Sequence, residues 1–182
     1  PYEDKKDTIV WRGTTTGLFY GNDLTRGSRS SLVTKWYDHK IFNIGLSHIC
    51  QKCKGWEKYN KCIKSRLSIA NMLKSKFLIS VEGNDVATNL KWIMSSNSLV
   101  IMPHPTTESW FMEGRLKPYI HYIPVKNDFS DLEIRYNWCL KNKNICKKII
   151  YNCNKYVNQF LNSKNETNIA RSVVDSYFKN TI

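Results

Sequence analysis

The sequence predicts an α/β protein, a doubly wound, Rossmann-like parallel sheet with a helical C-terminal end. Residues 77–81, Phe-Leu-Ile-Ser-Val, and residues 98–102, Ser-Leu-Val-Ile-Met, are short continuous apolar runs, the pattern of parallel strands covered on both faces. Between them, past the turn signal Gly83-Asn84-Asp85, the residues Val86, Leu90, Ile93 and Met94 recur at helical spacing. Strand, tight turn, helix and strand within about thirty residues make a parallel βαβ unit. Beyond residue 131 only helical patterns follow, over residues 132–140, 145–161 and 170–178, and these form the helical end.

The other elements follow in chain order. Thr-Ile-Val-Trp at residues 8–11 reads as a strand that stops at Arg12-Gly13, with threonines and Gly17 forming a loop after it. Residues 31–37 fit a helix and residues 41–46 a second strand. Residues 48–65 are rich in Cys and Lys and have no clean period, after which Ser68 caps a helix reaching Leu73. Gly83-Asn84-Asp85 serves as turn and N-cap for the βαβ helix, and Pro103 ends the second apolar run. A further strand at residues 119–125 follows a loop holding Glu108-Ser-Trp-Phe. There is no internal repeat.

At 182 residues the chain is one domain, or one domain with an appendage, by the usual ~100–200 residues per domain. It begins at Pro1 with a polar, linker-like stretch, so a longer parent is expected. Hydrophobic residues at 41% and aromatics at 13% exclude overall disorder. No apolar run reaches the ~18 residues of a spanning helix, and no secretion signal opens the chain, so the expected location is cytoplasmic. A net charge of +13 calls for an anionic partner: nucleic acid, an acidic membrane surface, or a phosphorylated small molecule. Lys141-Asn-Lys-Asn and Lys147-Lys148 read as solvated helix faces, and no homeodomain, zinc-finger or RRM-type pattern is present, which makes nucleic acid the weakest partner.

An open parallel sheet binds ligands outside the carboxyl ends of its strands, where helix N-termini present free N–H groups. Three segments end there: Arg12-Gly13-Thr14-Thr15-Thr16, Glu82-Gly83-Asn84-Asp85 and residues 104–108, with Thr88, Asn89 and Lys91 nearby. The set suits a nucleoside diphosphate, with Arg12 and the helix end on phosphate oxygens and Glu108 accepting from ribose hydroxyls. Singly, each part has an ordinary reading as a cap, a surface ion pair or a solvated loop residue. Their common placement at one sheet edge favours a ligand.

Residues 77–98, Phe-Leu-Ile-Ser-Val-Glu-Gly-Asn-Asp-Val-Ala-Thr-Asn-Leu-Lys-Trp-Ile-Met-Ser-Ser-Asn-Ser, resemble the central motif of glycosyltransferase family 90. That family includes bacterial lipopolysaccharide glycosyltransferases, fungal capsule-associated proteins and Rumi-like protein O-glucosyltransferases. Glu108-Ser-Trp-Phe-Met-Glu-Gly-Arg-Leu-Lys-Pro, His121-Tyr122 and Asp128-Phe-Ser-Asp-Leu stand in the family's order and spacing, and Trp11-Arg-Gly-Thr resembles its upstream Arg-Gly motif. The resemblance covers residues 11–177 and is nearest the lipopolysaccharide branch; the Rumi-like branch usually has Arg where this chain has Asn89.

The resemblance implies the C-terminal half of a GT-B fold and a UDP-linked nucleotide sugar as donor. It further implies inverting hexosyl transfer to a glycan or glycolipid such as a lipopolysaccharide core, with no metal or other cofactor required. Arg12, with Gly13 and Thr14, would neutralise the leaving diphosphate. Glu82, Gly83, Asn84, Asp85, Thr88, Asn89 and Lys91 would border the donor pocket, and Glu108 would hold ribose or sugar hydroxyls. His121 is a candidate substrate contact, set against the commoner outcome of a satisfied core histidine. An inverting transfer needs a general base for the acceptor hydroxyl. In the family this is an Asp of the N-terminal domain, so the catalytic residue is expected outside this chain. Residues 1–65 then form a connecting segment and residues 66–182 the nucleotide-sugar-binding domain, with an anionic membrane face as a peripheral contact. Two rivals stand beside this reading: a degenerate, non-catalytic binding module, and a basic nucleic-acid-binding domain.

The six cysteines, without a secretion signal, read as reduced thiols. His48, Cys50, Cys53 and Cys62 have the ligand types of a zinc site but not a standard spacing, so free loop thiols are the favoured reading. Cys139, Cys146 and Cys153 recur every seven residues and read as small buried side chains on one helical face. Asp128-Phe-Ser-Asp131 lacks the carboxylate spacing of a GT-A metal motif and reads as the cap of the next helix.

Overall fold

The computed structural model describes residues 1–17, 27–52 and 55–181. Strands β1 (Lys6–Thr14), β2 (Asn43–His48), β3 (Ser75–Ile79), β4 (Leu99–Met102) and β5 (Ile123–Pro124) form one parallel sheet in the order β2-β1-β3-β4-β5. The helices among the described residues are α1 (Arg29–Trp36), α2 (Ile69–Met72), α3 (Asn89–Met94), α4 (Leu132–Lys141), α5 (Lys143–Asn158) and α6 (Ser163–Thr181). β1 leads through α1 to its neighbour on one side, and β3 leads through α3 to its neighbour on the other. The winding therefore reverses between β1 and β3, and the crevice at that reversal is where such sheets bind ligands.

The βαβ unit stands as expected: β3 pairs β4 with Phe77 opposite Leu99 and Ile79 opposite Ile101. Every residue of β3 is buried, including Lys76, whose ammonium reaches Asp7 Oδ1 at 2.7 Å. α3 turns Leu90, Ile93 and Met94 inward, and α5 buries Cys146, Ile149, Ile150, Cys153 and Val157 at helical spacing. α3 and α5 pack on each other and both lie against β4.

Several sequence expectations need correction. β1 runs on to Thr14, because β2 continues beside it with Arg12 opposite Gly45 and Gly13 opposite Leu46; Arg12, Gly13 and Thr14 are strand residues, not loop. Residues 1–65, expected as a connecting segment, thus supply two of the five strands. α3 starts only at Asn89, with Thr88 at the cap position, because Asp85 closes its own turn: its carboxylate accepts from Val86 N at 2.8 Å. The strand expected at residues 119–125 shrinks to β5. Tyr119 takes a left-handed φ of 60° and its N–H closes a turn onto the Tyr122 carbonyl at 2.7 Å. Asp131 stands at the cap position of α4, but its carboxylate accepts from Lys126 N and from the Arg135 side chain one turn on rather than from a backbone N–H of the helix. Ser68 does cap α2, accepting from Asn71 N at 3.2 Å.

Cys139, Cys146 and Cys153 are buried although α4 and α5 break between them at Asn142. Burial pushes the Cys153 thiol up to about 12. Of the free cysteines described, Cys50 is exposed and Cys62, Cys139, Cys146 and Cys153 are buried. A thiol reagent is therefore expected to label Cys50 in the native protein and to reach these four only on unfolding, as read by peptide mass spectrometry. Rapid native labelling of Cys153 would contradict the packing of α5.

Candidate functional site

A cleft of about 330 Å³ opens between the carboxyl ends of β1 and β3. One wall is Trp11, Arg12, Gly13 and Thr14 of β1 with Thr16 just after it; the other is Val81, Gly83, Asn84, Asp85, Val86 and Thr88 of the β3–α3 loop with Asn89 at the start of α3, and Arg29 joins them. The two walls are pressed together behind the opening. Gly17 N donates to Asn84 Oδ1 at 2.8 Å, and a methyl at Gly83 would lie 2.5 Å from Thr16 Oγ1 and 3.0 Å from Arg29 Nη2. Only glycine permits that approach at position 83.

Arg29 is the first residue of α1, whose N-cap Ser28 accepts from Ser31 N at 3.2 Å. Its guanidinium donates to Thr14 O at 3.2 Å, Thr16 Oγ1 at 2.6 Å, Val81 O at 3.1 Å and Glu82 O at 3.0 Å. One planar group thus ties the end of β1 to the end of β3 and brings its charge to the cleft. Arg12 also lines the cleft and donates on the β2 side, to Ser65 O, Trp11 O, Asn43 O and Asn43 Oδ1 at 2.7–2.9 Å. Those acceptors are neutral, and burial disfavours the Arg12 charge, which an anion in the cleft would offset. Sequence reasoning missed Arg29. A signal was present: a cation in the first turn of a helix opposes the macrodipole, and that placement marks a position kept for another purpose.

Other expected residues are placed differently. Asn89 is turned inward, donating to Ile79 O at 2.9 Å and accepting from Ser80 Oγ at 3.0 Å, so it locks α3 onto β3. Glu82 accepts from Thr106 N, Thr107 N and Thr106 Oγ1 at 2.5–2.9 Å, which fixes the loop after β4. Between that loop and α3 lies an apolar crevice formed by Val81, Val86, Ala87, Leu90, Met102 and Pro105, continuous with the cleft through Val81 and Val86.

Lys91, Glu108 and His121 are not brought to the cleft. Lys91 pairs with the buried Glu113 at 3.1 Å and lies over the rings of Trp110 and Phe111. Glu113 also accepts from Ser109 N at 2.7 Å. Burial would raise its carboxyl, but the Ser109 and Lys91 donors outweigh it and hold the group below the usual carboxylate range. Glu108 is exposed beside Gly114, outside the cleft lining. His121 accepts from Lys117 N at 3.0 Å and packs on Tyr156; burial and then Lys117 lower its pKa, the pattern of a structural, neutral histidine. Among the described residues no three His, Cys, Asp or Glu side chains gather as metal ligands. Cys62 is buried against α1 with its thiol toward Val33 O, Cys50 is exposed, and Cys53 lies outside the described residues.

Residues 1–180 match the family model of Glycosyl transferase family 90. The chain belongs to that family. The family 90 relative O-glucosyltransferase LpsA of Dichelobacter nodosus is 33% identical over 178 residues, covering 98% of this chain and 51% of its own length. Human Protein O-glucosyltransferase 3 is 32% identical over 95 residues, 51% of this chain and 18% of its own. An uncharacterized protein, 179R of Invertebrate iridescent virus 6, is 29% identical over 188 residues, 88% of this chain and 16% of its own. This family 90 chain therefore spans about half the length of LpsA and less of the others. Among its described residues no helix is long and apolar enough to cross a membrane.

Proposed function

We propose that this family 90 chain is the donor-binding part of a hexosyltransferase, and that the cleft between β1 and β3 receives the diphosphate of a nucleotide sugar. The observation that carries the reading is the Arg29 guanidinium, held in the cleft at the point where the winding of the sheet reverses, with Arg12 in the same lining. A cationic group held in place there stabilises the charge that develops as the nucleoside diphosphate leaves. This supplies the positive charge of the reaction without calling for a metal ion. Thr14, Thr16 and Thr88 add hydroxyl donors along the same walls. The donor is a UDP sugar, and inversion follows from a single displacement whose base lies outside this chain.

The acceptor is a glycan or glycolipid of the lipopolysaccharide-core type, reached at an anionic membrane face. The +13 charge suits an anionic acceptor, and LpsA, an O-glucosyltransferase, supports transfer of a hexose to a hydroxyl. Titration calorimetry of the chain with UDP, without added metal, tests the donor reading: saturable 1:1 binding is expected, and absence of heat at millimolar UDP would reject it. A duplex DNA control at low salt separates specific donor binding from charge-driven association.

A further inference from the structure

α5 buries Cys146, Ile149, Ile150, Cys153 and Val157, and at about 100° per residue the side directly opposite carries Asn144, Lys148, Tyr151 and Lys155. Residues 134–165, which cover most of α4 and all of α5, hold six lysines and one arginine and no Asp or Glu. A helix side that only meets water usually mixes both signs, whereas here like charges stand one turn apart at Lys143 and Lys147. Lys147 is relieved by Glu3, but Lys141, Lys143, Lys148 and Lys155 are exposed and reach no carboxylate among the described residues. Apolar groups stand among these cations. Tyr151 is 60% exposed, with the Lys148 ammonium 5.2 Å from its ring centroid. Ile120, 44% exposed, is tied to α5 by Asn152, whose Nδ2 donates to its carbonyl at 3.0 Å, and it lines an open depression together with Lys155.

We infer that the outer side of α5 lies on an anionic lipid bilayer, with its lysines among the headgroups and Tyr151 and Ile120 reaching the boundary with the acyl chains. The inference rests on the reading that the acceptor is met at a membrane, and gives that membrane a place on the molecule; it does not need the donor assignment. Charge complementarity selects the occupant, and the kind of cation narrows it. The outward cations of α5 are all lysines, compact charges on flexible stems that suit a fluid layer of headgroups; a fixed phosphate would call for arginine forks. The exposed Tyr151 and Ile120 separate a bilayer from a nucleic-acid duplex, because apolar groups gain free energy on entering the headgroup region and gain none along a phosphate backbone. The apolar side of α5 is already used by the core, so the attachment is peripheral, reversible and sensitive to salt.

The test is flotation of the 182-residue chain with vesicles of phosphatidylcholine alone and of phosphatidylcholine mixed with phosphatidylglycerol. Binding is expected to the mixed vesicles only, and it should fade as salt is raised. Each lysine near such a surface strengthens partitioning roughly fivefold, so the paired change Lys148→Glu, Lys155→Glu should lower it by roughly twentyfold or more. Tyr151→Ser, at unchanged charge, should lower it by roughly a few fold. The pair Lys58→Glu, Lys61→Glu makes the same change of net charge on the exposed turn at Trp56–Cys62 and should leave binding within about threefold of wild type. UDP affinity should be the same in all of these variants, which separates failure here from failure of the donor reading. Four results would overturn the inference: no flotation with the mixed vesicles, equal flotation with phosphatidylcholine alone, an equal loss from the Lys58, Lys61 pair, or tighter retention on duplex DNA that the Lys148, Lys155 pair abolishes.

Discussion

Replacing Arg29 by alanine is expected to weaken UDP binding by roughly ten- to a hundredfold, the loss of one charge-assisted interaction at about 1.5–3 kcal/mol. The guanidinium is already oriented by Thr14 O, Thr16 Oγ1, Val81 O and Glu82 O, so its charge is fixed at the cleft before any anion arrives. The same bonds join β1 to β3, and the alanine variant should also melt at a lower temperature. Arg29→Lys separates the two effects. It keeps the charge and loses the fork, so its UDP affinity should fall between wild type and Arg29→Ala. Gly83→Ala attacks the same place from the other side, because its methyl would displace Thr16 and Arg29, and should lower affinity with both arginines present. Calorimetric affinities of the three variants that match wild type would sink the cleft as a phosphate site.

Glu113→Ala is expected to cost about 3 kcal/mol of unfolding free energy, the usual effect of removing one partner from a buried ion pair. Its side chain is 2% exposed; without it, the partly buried Lys91 ammonium and Ser109 N lose their acceptor. Urea denaturation should show a shifted midpoint with an unchanged slope. The sign of the pH effect follows from the depressed carboxyl. A group held below its unfolded value contributes stability present above that value, and the contribution is lost as pH falls through the folded one. The acid limb of the wild-type stability curve should therefore be steep below about pH 4 and flatter in Glu113→Gln. An equally steep limb in that variant would show that other carboxyls dominate.

The central βαβ unit was legible because β3 and β4 are buried on both faces and read as unbroken apolar runs, whereas α3 shows a single inward stripe. The switch-point position of the site followed from those strands, and Arg12, Gly13, Thr14, Gly83, Asn84, Asp85, Thr88 and Asn89 do line one cleft. What sequence could not fix was side-chain direction. Asn89 and Lys91 sit near the cleft in the chain, yet one bonds back to β3 and the other reaches Glu113, because each finds a buried partner there. Arg29 was missed because the helix was expected to begin only at residue 31, which left this cation outside the first helical turn where its placement would have stood out. The extent of β1 depended on pairing with β2, a tertiary contact that local pattern does not contain.

The register of β1 against β3 sets when this site can exist. Val10 pairs with Leu78, so the two walls of the cleft come from segments far apart in the chain, and closing such a loop is entropically slow. During synthesis a nascent chain carries Arg12 and Arg29 long before β3 has left the ribosome, and until then neither has a wall to face. On the donor reading, nucleotide affinity would therefore appear all at once, with the closing of the central sheet. A bound donor would act as a folding ligand, drawing late-arriving chains into the native state by mass action.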